Sequence, residues 1–207
     1  MPGNPGTIDA SAVELFKAKA KLATIVIAEV KDLAAAIDYA IEVTEKSELG
    51  KLMPTKAGTI PPSDPNRKKT LTAPSISDAD YAVLAQKGEA KGFTMIRSGL
   101  RQYLAGIDVG FTVADIGIAE TATSACENDS EDYRLASMIS ETHVLALAKS
   151  KIVKTSYDAV SYLKEAFGRE HNYTSFISGP SRTADIERVL TLGVHGPLYM
   201  HIALMEE

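Results

Sequence analysis

Cysteine is nearly absent from this chain of 207 residues: Cys126 is the sole example. An internal disulfide is excluded, and a reducing compartment is expected. A protein-held iron–sulfur cluster needs several thiolate ligands, so this chain is expected to carry no cofactor of that kind. No G-x-G-x-x-G follows an apolar run, which removes the dinucleotide fingerprint. No apolar run approaches the roughly 20 residues of a membrane helix. The opening Met1-Pro2-Gly3-Asn4-Pro5-Gly6 lacks the cationic and apolar parts of a signal peptide, so a cytoplasmic protein is expected. The net charge of −5 argues against a nucleic-acid surface. The short basic run Arg67-Lys68-Lys69 sits among Pro61, Pro62, Pro65 and Asn66 and reads as a solvated loop. The histidines His143, His171, His195 and His201 form no H-x-x-H or H-x-x-x-H pair, so no metal site is indicated.

What is present suits one soluble domain, with 45% apolar and 24% charged residues. Ser11 and Glu14 have capping-box spacing, which predicts a helix to about Leu22. Thr24 to Ala28 is β-branched and strand-like. Asp32 is placed to cap a helix with the stripe Leu33, Ile37, Ala40, Ile41. Residues 51–76 are Pro-rich and read as a long loop, dividing 1–50 from 77–207. Ser77 with Asp80 caps the next helix, whose Tyr81, Leu84 and Ala85 face inward. Strands are expected at Phe93–Ile96, Val109–Val113, Ile116–Ala119, His143–Leu147, Phe176 and Tyr199–Leu204. Thr155 to Asp158 are expected to cap a helix burying Val160, Leu163, Ala166 and Phe167. Strands alternating with helices predict a three-layer α/β/α fold around a largely parallel sheet.

The stretch Ser178-Gly179-Pro180-Ser181-Arg182-Thr183 reads as a turn between a strand and a helix carrying Ile186, Val189 and Leu190. A helix start offers free N–H groups and a positive dipole end, and Arg182 adds a forked cation. Carboxylate or phosphate would suit such a seat; so would solvent, if the helix is merely well capped. Next comes His195, between Gly193 and Gly196. An imidazole can move protons near neutral pH, and the glycines let backbone approach a ligand. Glu120 ends an apolar run and precedes Thr121 and Thr123. It reads either as a general base or nucleophile oriented by those hydroxyls, or as a structural acid accepting backbone N–H bonds. Asp108 and Asp115 bracket the preceding strand, as second carboxylates or as turn formers. Arg134, close to Glu131 and Asp132, reads first as half of a surface ion pair. His143 opens an apolar strand and reads as a core histidine with satisfied bonds.

Three ordered blocks carry a family resemblance. These are Asp108-Val109-Gly110-Phe111-Thr112 with Ala114-Asp115 and Ile118-Ala119-Glu120-Thr121-Ala122-Thr123; Thr142-His143-Val144-Leu145 with Ile152-Val153; and the SGPSRTADIE stretch from Ser178 followed by Leu192-Gly193-Val194-His195-Gly196-Pro197. Together they resemble the LUD domain of the lactate-utilisation family, and within it the small C-type subunits. The match runs from Pro74 to Glu207, with the N-terminal part similar in outline. It implies the fold of sugar-phosphate isomerases and CoA transferases. It also raises interest in Glu120, and in Arg134 as a ligand-binding arginine. The family's glycine after AET is Ala122 here, and its Gly-rich loop is replaced by residues 127–134.

The resemblance implies an accessory or ligand-binding subunit in oxidation of L-lactate or a similar hydroxy acid to pyruvate. Electrons would then go to iron–sulfur subunits on other chains. The alternative is a CoA-transferase- or isomerase-like enzyme, with Glu120 and His195 as catalytic groups. In that case Thr121, Thr123, Arg134, Ser178, Gly179, Ser181, Arg182, Thr183 and Gly196 would hold a carboxylate or phosphate. A third reading is a module that senses an organic acid. In every case the purified chain should show no visible absorption band after gel filtration; a band with stoichiometric iron or flavin would contradict the cysteine argument.

Overall fold

The computed structural model describes residues 8–50, 66–170, 173–184 and 190–207. The first helix, α1 (Ala10–Leu22), starts earlier than the Ser11 box implies: Asp9 is its cap and accepts from the N–H of Ser11 and Ala12. Strand β1 (Val26–Val30) follows. Asp32 caps α2 (Leu33–Lys46) through the Ala35 N–H. The loop reading fails at its end, because β2 (Thr70–Thr72) is an inner strand with Leu71 and Thr72 fully buried. Residues 51–65 of that expected loop lie outside the described ones. Ser77 caps α3 (Asp78–Ala90), and Asp80 accepts from the Ser77 hydroxyl in return. Then come β3 (Thr94–Ile96), β4 (Ile107–Val113), β5 (Ile116–Ile118) and β6 (Thr123–Glu127).

Ser130 caps α4 (Glu131–Ile139), which runs directly into β7 (Ser140–Ala148). After β8 (Ile152–Val153), the Thr155–Asp158 segment forms its own turn, with Asp158 accepting from the Thr155 N–H and hydroxyl. It does not cap α5 (Val160–Phe167), whose N-cap Ala159 makes no side-chain bond. The expected apolar stripe fails there too: Ala166 is buried, but Phe167 is 66% exposed. The remaining strands are β9 (Thr174–Ile177), β10 (Arg182–Thr183), β11 (Thr191–Leu192) and β12 (Tyr199–Met205).

The main sheet is six-stranded, in the order β1-β12-β7-β4-β2-β3, and every pairing is parallel. Such a sheet must be covered on both faces. One face packs on α2 and α3 through Ile37, Ile41, Leu84, Val109, Phe111 and Val144. The other packs on α1 and α4 through Phe16, Tyr133, Leu145, Leu147 and Ile202. Strand β7 lies between both cores, and Thr142 to Lys149 are all buried. A second sheet, β8-β5-β6-β9, is mixed, and β10 pairs antiparallel with β11 as a short hairpin. Where the strand order β1-β12-β7 ends at its carboxyl edge, Lys149 bridges Glu29 and Glu206, each at 2.6 Å. Among the described residues no helix is long and apolar enough to cross a membrane.

Two residues other than glycine have positive φ. Ala122 (φ 51) ends the 3-10 turn 119–121, which explains why a glycine suits the equivalent family position. Thr24 (φ 59) turns the chain from α1 into β1.

His143 is fully buried in β7. Its Nε2 pairs with the Thr112 hydroxyl at 2.7 Å, while Nδ1 has no partner among the described residues. The core placement agrees with expectation; full satisfaction does not. Burial pushes its pKa down from 6.5 to about 4. The unfolded chain takes up this proton near pH 6.5, whereas the folded chain resists it until about pH 4. Stability therefore falls as pH drops through that window, by roughly 3 kcal/mol in total. Urea unfolding should show this slope, and His143→Gln should flatten it. An unchanged slope in the variant would assign the acid sensitivity to other groups.

Candidate functional site

Most of the residues singled out in the sequence fall into two groups in space. The first is a chain of hydroxyls. Thr121 Oγ1 and Thr123 Oγ1 lie 2.7 Å apart, and Thr123 Oγ1 lies 2.7 Å from Ser178 Oγ. Antiparallel pairing of β6 with β9 creates this contact, since Ser124 faces Ile177 and the next residues meet. Glu120 stands beside it but points elsewhere. Its Oε1 accepts from the Ser156 N–H at 2.7 Å and from the Ser156 hydroxyl. These two bonds hold the Glu120 carboxyl below its usual range. Its own N–H donates to the Lys154 carbonyl, so Glu120 fastens the 3-10 turn to the loop after β8.

The second group is the hairpin. Arg182 and Thr183 form β10, where a helix start was expected, and residues 185–189 of the expected helix lie outside the described ones. Ser181 organises the hairpin mouth. Its N–H donates to the Pro197 carbonyl, its carbonyl accepts from Gly193, and its hydroxyl accepts from the His195 N–H at 3.2 Å. Gly196 lies so close to Ser181 that a Cβ would come within 3.3 Å of the serine Cβ. The His195 ring itself is exposed. Arg182 Nη2 donates to the Ala23 carbonyl at 3.1 Å and to the Thr24 hydroxyl at 2.5 Å. It thereby caps the carboxyl end of α1, where a cation is favoured. A guanidinium has three further N–H groups on Nε and Nη1. Gly179 has φ 138, a conformation open to glycine, and packs against Ala23.

Arg134 belongs to neither group. It donates to the Asp129 carbonyl and lies over the Tyr173 ring, 4.6 Å from its centroid. The expected ion pair is made differently: Glu131 pairs with Arg101, and Asp132 accepts from the N–H groups of Gly99 and Leu100. Asp115 accepts from the Glu127 N–H at 2.7 Å, across to the end of β6.

A third group was not foreseen. A cavity of about 430 Å³ opens at the amino ends of β4, β7 and β12, beside the end of α2. Tyr39, Glu42, Glu48, Asp108, Glu141 and His201 are among its lining residues. Tyr39 Oη and His201 Nδ1 are 2.8 Å apart, and burial lowers the His201 pKa, so the ring is neutral. Helix α2 supplies Tyr39 and strand β12 supplies His201. Neither motif spacing nor a charge run marks the pair in the sequence.

Asp108 forms one wall of this cavity. Its two oxygens receive five donors: both terminal nitrogens of Arg67, the N–H groups of Gly50 and Thr70, and the Thr70 hydroxyl, at 2.7–2.8 Å. Burial alone would raise its pKa, but these donors outweigh it and hold the carboxyl below the usual range. The basic run is therefore built into the fold rather than solvated: Arg67 pairs with Asp108, and Lys69 Nζ caps α2 at the carbonyls of Thr44, Glu45 and Ser47. Asp108→Asn removes the charge opposite a largely buried arginine. It should cost about 3 kcal/mol at neutral pH, the scale for breaking a buried pair. The loss should shrink as pH falls through the folded-state pKa of Asp108, where the parent carboxyl also becomes neutral. Equal unfolding free energies at pH 7 would show that the pair contributes nothing.

Comparison with known proteins agrees with this architecture. The LUD domain family model matches residues 13–205, well beyond the blocks that carry the resemblance. The lactate utilization protein C of Geobacillus sp. is 38% identical over 94 residues, which are 44% of this chain and 39% of that protein. Its namesake from Shouchella clausii is 37% identical over 44% of this chain and 41% of its own length. The chain thus aligns with only about two fifths of the length of these curated relatives. A crystal structure of a DUF162 family protein from Deinococcus radiodurans superimposes with a TM-score of 0.57, covering 95% of this chain and 97% of that one. Its 16% identity speaks for the fold alone. With a family match over almost its whole length and a fold that agrees, this chain belongs to the LUD domain family.

Proposed function

We propose that this protein is an accessory or ligand-binding subunit in the oxidation of L-lactate or a similar hydroxy acid to pyruvate. Electrons pass to iron–sulfur subunits on other chains. One observation carries the reading: a LUD-family chain, similar to proteins named for lactate utilization, has a single cysteine, and that cysteine is sealed in the core. Desolvation pushes the Cys126 thiol up to about 12. A buried thiol of that kind is neither a nucleophile nor a metal ligand at neutral pH.

In this reading the organic acid sits at the Ser178–Thr183 segment. The three other N–H groups of Arg182 meet its carboxylate, and the Ser178, Thr121 and Thr123 hydroxyls and the Gly196 mouth surround it. The enzyme reading asks Glu120 to act as a base. A carboxylate held below its usual range by Ser156 is a poor base near neutral pH, which favours the accessory role.

Calorimetric titration with L-lactate tests the seat. Arg182→Ala should weaken binding at least about tenfold, the scale of losing a charge-assisted bond. Thr24→Gly removes a hydroxyl partner of Arg182 while sparing the guanidinium, and should keep most of the affinity. Equal affinity in Arg182→Ala and the parent would move the site elsewhere. Glu120→Gln should leave lactate oxidation unchanged in a system reconstituted with iron–sulfur subunits. A fall of about a hundredfold, the scale of lost acid–base help, would support the enzyme reading instead.

A further inference from the structure

Each hydroxyl of the Thr121–Thr123–Ser178 chain carries one proton, and burial limits where those protons can go. Thr123 is 6% exposed and stands in the middle, with Thr121 Oγ1 and Ser178 Oγ each at 2.7 Å. A buried proton without an acceptor is costly, so Thr123 donates to one neighbour and accepts from the other. Thr121 and Ser178, at the two ends, are exposed. The chain therefore has two directions. When Thr123 donates to Ser178, the Ser178 proton is left for a group outside the chain. When Ser178 donates to Thr123, Ser178 meets that group with a lone pair, and the free proton moves to the Thr121 end. No heavy atom shifts between the two.

The Arg182 guanidinium lies close by. Gly179 follows Ser178, and a Cβ built on it would lie 3.4 Å from the Ala23 carbonyl oxygen. Arg182 Nη2 reaches the same oxygen at 3.1 Å. One carbonyl thus brings the backbone beside Ser178 and the Arg182 fork together.

We propose, resting on the reading of this segment as the organic-acid seat, that the hydroxyl chain recognises the oxygen next to the carboxylate in both of its oxidation states. With the carboxylate on Arg182, a 2-hydroxy acid turns a group that donates and accepts toward Ser178; a 2-oxo acid turns one that only accepts. A chain that can reverse its direction meets either. The seat then holds the reduced and oxidised acids with similar strength, and an acid bearing no oxygen there less tightly. Ser178 touches the ligand, and Thr123 is a positioning residue that fixes the Ser178 oxygen.

Calorimetric titration of the full chain with L-lactate, pyruvate and propionate tests this. L-Lactate and pyruvate should bind within about threefold of each other, and propionate about fivefold more weakly, the scale of one hydrogen bond. Ser178→Ala should bring the first two down to the affinity of propionate and leave propionate unchanged. Thr123→Val should weaken the first two at least about twofold with propionate again unchanged, and Thr123→Ser, which keeps the hydroxyl, should match the parent. A merely structural role for either residue would move all three acids together, and that result overturns the proposal. So do equal affinities for the three acids in the parent, or pyruvate bound about tenfold more weakly than L-lactate, which would mark a chain fixed in its accepting direction. In those cases the seat itself stands. Binding of none of the three acids overturns the seat and this proposal with it.

Discussion

Strand β7 sits third in a six-stranded parallel sheet and is buried on both faces for almost its whole length. Parallel pairing permits no exposed face, so the chain needs helices on each side, and α1 with α4 and α2 with α3 supply them. That requirement fixes much else. It explains the apolar run from Val144 to Ala148 and the position of α4 directly before β7. It also explains why His143 must remain neutral. A polar group placed in such a strand has only neighbouring strands to bond with, and Thr112 in β4 is the partner His143 finds.

Much of this architecture was legible in the sequence, because it follows from periodicity and caps. Asp32 and Ser77 begin their helices as expected, and the strands at Ile107–Val113, Ser140–Ala148 and Tyr199–Met205 lie where apolar runs predict. The failures have local causes. Strand β2 is three residues long, and Thr-Leu-Thr beside a basic run carries no strand pattern; its register comes from β3 and β4. Arg182 and Thr183 follow Gly-Pro, which suits a helix start as well as a hairpin strand, and only pairing with Thr191 and Leu192 decides. The Arg67–Asp108 pair joins residues 41 apart in sequence, so no local signal announces it.

The site was legible in its parts and not in its assembly. Thr121, Thr123 and Ser178 do meet, but through the pairing of β6 with β9, and β6 itself was not foreseen. Glu120 was open to two readings. Its bonds to Ser156 match the fastening role, and a catalytic role would have to coexist with it. Arg182 was singled out for its charge, and that charge does lie at a helix terminus. The terminus is the carboxyl end of α1 rather than an amino end of its own helix, so the helix-start argument for an anion fails there and only the guanidinium charge remains.

The two ends of the main sheet have been given different tasks. In open α/β sheets ligands usually gather beyond the carboxyl ends of the strands. Here that end carries Lys149 between Glu29 and Glu206, with Lys17 also on Glu29, and β4 leads on into the second sheet. These cross-links tie β1, β7 and β12 together and leave their charges mutually satisfied. The amino end is built differently. It holds the cavity with the Tyr39–His201 pair and the hairpin mouth around Ser181. The Ser178 seat follows β9 of the small mixed sheet, so the carboxyl-end rule of parallel sheets does not govern it. A neutral imidazole bonded to a phenol, in a cavity rich in carboxylates, is poorly suited to a second anion. That leaves the Arg182 guanidinium and the hydroxyls of Ser178, Thr121 and Thr123 as the groups suited to the organic acid of the proposed function.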